Sequence, residues 1–264
     1  MSCSVVVPTS GCRPAQLAAL RAALEAQHEP PGGFEVVVVE DRELRGPSAA
    51  RNEGVARARG DLIAFTDDDC EPDAGWLAAL HARWAGRAGV GVGGTVVNRL
   101  RRNPFAAASQ LVHDQAHAWA NRAAPRFFAS NNLALPRAAL LEVGGFDEAL
   151  RCAEDRELCD RWLASGLAFD HEPRAIVHHA HRMQARGFLT QHARYGAGAW
   201  RLRAAQAAAG RPLTPIEPAF YDRLARDAAR RSPRMAALVA AAQLANAAGF
   251  AAAAVSDRGR LGRP

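Results

Sequence analysis

Apolar residues in the first two-thirds of the chain fall in short unbroken runs, separated by stretches with helical spacing. Residues 4–7 form a β-branched run stopped by Pro8, and residues 14–27 then carry Leu17, Leu20 and Leu24 at helical intervals. A second run, 34–39, ends in Glu40-Asp41; residues 47–59 follow as a helix, with Pro47 in its first turn and Gly60 past its end. A third run, 62–65, again ends in acid, before a helix over 76–84 and a fourth strand over 90–97. Runs that do not alternate, with helices between them, describe a parallel sheet covered on both faces. The pattern predicts an α/β domain with a Rossmann-like, mostly parallel sheet. Such sheets place ligands at the carboxyl ends of their strands. Pro8-Thr9-Ser10, Glu40-Asp41 and Asp67-Asp68-Asp69 each follow a strand directly, so one sheet edge gathers them.

Farther along, residues 98–125 lack a strand pattern and are expected to form a helix and a mobile loop. Strand character returns over 127–135, then a short helix over 137–143 and a turn over 144–148. Residues 154–165 read as a helix ending at Gly166, and residues 175–179 as a last strand. Everything beyond Met183 looks helical, with breaks over 210–218 and at Ser232-Pro233. The expected division is a catalytic domain over 1–205 and a helical extension over 206–264.

Three adjacent carboxylates raise one another's pKa unless a cation sits among them, and a divalent ion removes that penalty. Hard oxygen ligands at a strand end suit Mn²⁺ or Mg²⁺ bridging a diphosphate. The competing reading is an acidic turn with Asp73 capping the next helix. Glu154-Asp155 opens a helix, where the dipole favours acids as caps. A functional role needs Asp155 to face the cleft and accept a proton from a hydroxyl. His178, His179 and His181 end the last strand, with His179 and His181 on one face. One of them completes a metal shell, or all are ordinary surface histidines. Gly91-Val92-Gly93-Gly94 lies inside a strand pattern, so it fails the context test for a dinucleotide loop. No Walker-type loop and no Gly-x-Ser-x-Gly elbow occurs.

Composition narrows the classes. A chain that is 49% hydrophobic and 23% charged is that of a folded protein, not a disordered one. All 33 basic residues are arginine, and the net charge of +6 suits anionic partners. Arginines without an aromatic-basic cluster argue against nucleic acid. Five cysteines without paired spacing, and a start lacking a basic leader, point to a reducing cytoplasm, with the inner membrane surface as a second location. Residues 236–255 have the length of a bilayer span, but Gln243, Asn246, Gly249 and the dominance of alanine argue against one. The remaining expectations are a helix packed on the domain or on a partner subunit, which is favoured, or one lying on a membrane. Arg226, Arg230, Arg231 and Arg234 before it and Arg258, Arg260 and Arg263 after it would attract anionic lipid.

Taken together these segments resemble the family 2 glycosyltransferases of the GT-A fold. SVVVPTSGCRPAQLAALRAALEAQ is similar to that family's first strand and helix, and VVVVED to its second strand. SAARNEGVARARGDLIAFTDDDCEPDAGWLAAL resembles its metal-motif stretch, and NNLALPRAALLEVGGFDE with AEDRELCDRW its acceptor-side signature. The similarity runs from about residue 2 to 182. It implies an inverting transfer from a nucleotide-diphosphate sugar, most often a UDP-sugar, to an unidentified acceptor. It implies that Pro8, Thr9 and Asp41 hold the nucleoside, with Arg51 near, and that Asp67 and Asp68 reach the ribose and diphosphate. By the same resemblance Asp69 binds Mn²⁺ or Mg²⁺, Asp155 is the general base with Glu154 beside it, and His179 or His181 joins the metal. The chain departs from the family with Glu40-Asp41-Arg42-Glu43 after the second strand and Ser10-Gly11-Cys12 after the first. The alternatives are a sugar-nucleotide nucleotidyltransferase and a catalytically silent nucleotide-sugar-binding protein.

Overall fold

A computed structural model describes residues 1–213 and 215–261, the side chains of 258–261 excepted. The chain divides into two compact units, Met1–Arg99 with Ala123–Ala180, and Leu100–Arg122 with His181–Pro264.

The first unit is built on a seven-stranded sheet: β1 (Cys3–Thr9), β2 (Phe34–Glu40), β3 (Leu62–Phe65), β4 (Cys70–Pro72), β5 (Val90–Asn98), β6 (Leu133–Pro136) and β7 (Ala168–His179). Their order is β2-β1-β3-β6-β5-β7-β4. β1 pairs in parallel with both β2 and β3, as the unbroken apolar runs predict. The sheet as a whole is mixed, because β6 runs antiparallel to β3 and β5, and β4 antiparallel to β7. Helices α1 (Pro14–Glu25), α2 (Pro47–Arg57), α3 (Trp76–Trp84), α5 (Arg137–Val143) and α6 (Glu154–Ala164) belong to this unit. β1 is buried along its whole length. Cys3, Val5 and Val7 join Leu20, Leu24, Trp76, Leu77 and Leu80 in one core, while Val6 faces Gly54 of α2 on the other side.

Two expectations are corrected here, and one strand is new. Residues 127–135 are strand only from Leu133, after a 3-10 turn at Ser130–Asn132. The last strand is not five residues long but twelve, Ala168–His179. The short strand β4 went unanticipated, since three residues containing a proline carry no periodicity to detect. The glycines of residues 91–94 are in β5, not in a phosphate loop. A Cβ at Gly94 would lie 2.2 Å from the Ala175 carbonyl oxygen and 2.5 Å from Asn132 Nδ2, so glycine is what lets Asn132 dock.

Asn132 is a buried polar knot. Its Oδ1 accepts from Trp76 Nε1 at 2.9 Å, and its Nδ2 donates to the Thr95 and Ala175 carbonyls at 3.0 and 2.9 Å. It thereby ties α3, β5 and β7 to the 3-10 turn.

The second unit is helical: α4 (Pro104–Ala120), α7 (Ala185–Ala208), α8 (Pro218–Arg231) and α9 (Pro233–Leu261). The stretch expected as helix plus mobile loop is thus largely α4, and it packs with the C-terminal helices. Asn103 caps α4 by accepting from the Ala106 amide at 2.9 Å. Leu111, Phe188, Leu224, Val239 and Ala242 form the core. Helices α7 and α9 meet at two glycines, with a Cβ at Gly196 falling 1.8 Å from the Asn246 carbonyl oxygen and one at Gly249 falling 1.9 Å from that of Ala193. Any side chain at either position would push the helices apart.

Replacing Asn132 by leucine should lower unfolding free energy by roughly 2–4 kcal/mol, because buried groups lose their partners at about 1–3 kcal/mol each. Urea unfolding followed by far-UV circular dichroism measures it. A loss under about 0.5 kcal/mol, within the range of ordinary surface substitutions, would show that the knot is not a fastening of the sheet.

Candidate active site

The parallel strands bring their ends together as the sequence predicts. Thr9 lies opposite Glu40 across β1 and β2, and the Thr66 amide donates to the Val6 carbonyl at 3.3 Å. Asp67-Asp68-Asp69 therefore leaves the sheet beside Thr9, whose hydroxyl donates to Asp68 Oδ2 at 2.6 Å. β4 then carries the chain to β7, pairing Cys70 with His179, and the Ala180 amide donates to the Asp69 carbonyl at 2.9 Å. That pairing sets Asp69 Oδ1 3.3 Å from His179 Nε2.

Each aspartate has a cationic partner, Arg51 for Asp67 and Arg13 for both Asp68 and Asp69. Arg51 Nη2 donates to Asp67 Oδ1 at 2.9 Å. Arg13 Nη1 lies 3.2 Å from Asp68 Oδ1 and donates a short hydrogen bond to Asp69 Oδ2. Burial raises the pKa of Asp68, with the Thr9 hydroxyl and Arg13 pulling the other way. His179 is raised: burial opposes its charge, but the Asp69 carboxylate beside it outweighs that.

Arg51 also reaches the start of α6, where its Nη1 donates to Glu154 Oε1 at 2.9 Å. It is only 3% exposed, and its Nε has no hydrogen-bond partner among the described residues. Burial alone would lower the pKa of this guanidinium, yet Asp67 and Glu154 together raise it. Ser48, Arg51 and Asn52 share one face of α2, by their i, i+3, i+4 spacing. All three fasten the same segment: Ser48 Oγ donates to the Leu150 carbonyl at 3.0 Å, and Asn52 both donates to the Phe146 carbonyl at 2.9 Å and accepts from its amide at 2.8 Å. The Ser-Ala-Ala-Arg-Asn motif thus holds the loop that delivers α6.

At that helix start Ala153 takes the left-handed conformation, φ 65°, and offers no side-chain cap. Asp155 Oδ1 accepts from the Arg156 amide at 2.8 Å, while Glu154 is drawn to Arg51 and does not cap. Burial, and next the charge of Glu154, raise the pKa of Asp155 to about 6. A carboxylate with that pKa can take up a proton near neutral pH.

A cleft of about 670 Å³ opens at the ends of β1 and β2, lined by Thr9, Arg13, Arg21, Glu40, Asp41 and Arg45 among others. That volume suits a nucleotide-sized ligand. Asp41 holds its rim: its two carboxylate oxygens accept from the Arg45 and Gly46 amides at 2.8 and 2.7 Å. Pro8 is buried in β1 opposite Val39.

Among the described residues, Asp69, Cys70 and His179 place ligand atoms within 4.8 Å of one another. Burial, with Asp67 and Asp69 next, pushes the Cys70 thiol well above its ordinary value. A thiol is also the soft member of this set, the one least suited to Mg²⁺ or Mn²⁺. The carboxylate and imidazole that remain fit a hard or borderline divalent ion whose other positions go to water or phosphate. His178 is opposite Glu71 and lies 2.9 Å from Asp73 Oδ1. Asp73 therefore does not cap α3, whose N-cap is Gly75. His181 belongs to the helical unit. Sequence reasoning gave no site role to Arg13; its one signal was a basic residue in the loop after the first strand.

Residues 19–145 match the sequence model of the family described as Glycosyl transferase family 2. The pre-mycofactocin glycosyltransferases of Mycobacterium tuberculosis, strains CDC 1551 / Oshkosh and ATCC 25618 / H37Rv, are each 32% identical over 172 residues, covering 62% of this chain and 36% of their own length. The chain thus spans about a third of the length of these curated relatives. Among solved structures, the mannosyltransferase PcManGT from Pyrobaculum calidifontis, in complex with GDP-Man and Mn²⁺, has TM-score 0.59 at 21% identity, covering 99% of this chain and 81% of that one. S. aureus TarS 1-349 in complex with UDP-GlcNAc has TM-score 0.57 at 17% identity, covering 85% and 70%. At such identities these two likenesses speak for the fold.

The register of β4 on β7 separates the histidines. His179→Ala should weaken Mn²⁺ binding by on the order of tenfold or more, followed by the electron paramagnetic resonance signal of free Mn²⁺. His178→Ala should leave it within about twofold, since its partner is Asp73, outside the ligand cluster. Equal effects of the two substitutions would remove His179 from the metal site.

Proposed function

We propose that this chain, a family 2 glycosyltransferase by sequence and fold, transfers a sugar from a nucleoside-diphosphate sugar to an acceptor hydroxyl with inversion, Asp155 serving as general base. The observation that carries the proposal is the Asp67–Arg51–Glu154 chain of ion pairs, which couples the acidic strand end to the helix start bearing Asp155. The nucleotide sugars in the PcManGT and TarS complexes support the donor class. The M. tuberculosis relatives, glycosyltransferases by name, support the reaction class.

In this proposal the cleft at the ends of β1 and β2 takes the nucleoside, with Thr9 and Asp41 on its wall and rim and Pro8 buried next to Thr9 in β1. The diphosphate lies toward Asp67, Asp68 and Asp69. Arg13, 40% exposed at its side chain and already paired with Asp68 and Asp69, supplies positive charge beside it. Asp69 and His179 hold Mn²⁺ or Mg²⁺, and the chemistry such an ion supplies when bound is neutralisation of charge on the departing diphosphate. Asp155 accepts the acceptor's proton as its oxygen bonds to the anomeric carbon. The bond from that carbon to the phosphate oxygen breaks, and the nucleoside diphosphate leaves with the electron pair. Arg51 binds Glu154 and fixes that second carboxylate at the helix start beside Asp155. Arg51 is thereby a positioning residue, since both of its Nη atoms are engaged with protein.

The pH dependence follows from the raised Asp155. Below about pH 6 its carboxyl is protonated and cannot act as base, so donor turnover should rise with pH and level off above that value. Arg51→Gln removes a neighbouring cation and should move this limb to higher pH; Glu154→Gln removes an anion and should move it lower. Asp155→Asn should cut turnover by on the order of 10²–10⁴ with donor affinity nearly kept. If the limb stayed in place in the Asp155→Asn enzyme's residual activity, the base would be another group.

A further inference from the structure

Charge is segregated between the two units. The helical unit contains 17 arginines and five acids, Asp114, Glu217, Asp222, Asp227 and Asp257, a net +12. The sheet unit contains 16 arginines and 22 acids, a net −6. The overall +6 therefore conceals a strongly basic body attached to an acidic one. That basic body also displays large apolar side chains, Leu189, Tyr195, Tyr221, Leu244 and Val255 among them.

Helix α9 concentrates the apolar part. Met235 to Ser256 contains no charged residue. Val239, Ala242 and Ala253 are buried, whereas Ala237, Ala240, Leu244, Ala247, Ala251 and Val255 are exposed. These exposed positions recur every three or four residues and so form one stripe, about 27 Å long. Leu244 and Val255 are 73% and 75% exposed. Arg230, Arg231 and Arg234, all exposed, stand at the stripe's N-terminal end. The side chains of Arg258, Arg260 and Arg263, expected at its other end, lie outside the described residues.

We propose that this face of α9 docks on an anionic lipid bilayer, the helix lying along the surface with Leu244 and Val255 entering the interface and the arginines on lipid phosphates. The inference is independent of the sugar-transfer reading. Residues Pro233–Asp257 are long and apolar enough to cross a bilayer. But α9 is committed on its other side to the glycine contact with α7, which leaves one face for lipid. An outward apolar face flanked by exposed arginines, on a body of net positive charge, offers both things an anionic interface attracts: apolar area to bury and cations for lipid phosphates. Nucleic acid would satisfy the arginines yet offer nothing for an uncharged stripe to enter. A second copy would set two +12 bodies against each other.

Flotation of the full chain with phosphatidylcholine vesicles, with and without about 30% phosphatidylglycerol, tests this at ~0.1 and ~0.5 M salt. Recovery is expected with the anionic vesicles only, and reduced at high salt. Two variants, Leu244→Asp with Val255→Asp, and glutamine at Arg230, Arg231 and Arg234, should each lower recovery roughly fivefold or more while keeping the wild-type melting temperature. Failure to float with anionic vesicles overturns the proposal. So does undiminished recovery of the Leu244/Val255 variant, with duplex DNA binding it as well as wild type, which would assign the surface to a polyanion. Concentration-dependent dimerisation lost in that variant, without flotation, would assign it to a second copy.

Discussion

A single buried guanidinium organises the candidate site. Asp67, Asp68, Asp69, Glu154 and Asp155 come from two places in the sequence nearly ninety residues apart, and such a group of carboxylates repels itself. Arg51 answers that repulsion from a third place, on α2, with one Nη on Asp67 and the other on Glu154. Ion pairs of this kind add little net stability when intact, because two charges have left water. Removing one partner is different: it strands a buried charge and costs about 3–5 kcal/mol. The pair of bonds thus fixes geometry more than it stabilises the fold. It sets the end of β3, the face of α2 and the first turn of α6 in one arrangement, and Asp155 takes its position and its raised pKa from that arrangement.

Much of this was legible in the chain. The runs ending at Val7, Val39 and Phe65 marked three strands, and the acids after them marked a common edge, because parallel strands align their carboxyl ends. The acidic triplet stood out because three carboxylates in a row after a buried strand need a cation. What stayed hidden depended on pairing between distant segments. β4 is three residues long and exists because Cys70, Glu71 and Pro72 find β7. Nothing local announces it, yet it is what brings Asp69 to His179. The antiparallel placement of β6 between β3 and β5 was equally unreadable, since an apolar run does not carry direction. Arg51 was visible only as a residue near the nucleotide; that both its Nη atoms are engaged by protein carboxylates emerged from the fold. Arg13 was invisible for the opposite reason: a surface-type residue in a loop acquires meaning only once Asp68 and Asp69 are seen beside it.

The helical unit makes a related point about what averages conceal. A whole-chain charge of +6 looks unremarkable for an arginine-rich protein. Divided by unit, it becomes +12 and −6, with residues 100–122 from mid-sequence counted in the basic, helical unit. The favoured expectation for the tail, a packed helix, describes the side of α9 bearing Val239, Ala242 and Gly249. The other side, bearing Leu244 and Val255, is exposed. A helix can satisfy both descriptions because its faces are independent. Alanine made the tail look inert by composition, but alanine is also what allows α7 and α9 to approach through their glycines.

The central claim is that the acidic strand end, Arg51 and Asp155 together form a nucleotide-sugar transfer site. Its most direct test is release of nucleoside diphosphate from a panel of UDP- and GDP-sugars by the full chain, with and without Mn²⁺. The account predicts release that needs the metal, saturates with one donor class, and is lost in Asp69→Ala protein that remains folded. Release that persists in excess chelator, or in the Asp69→Ala protein, would contradict it.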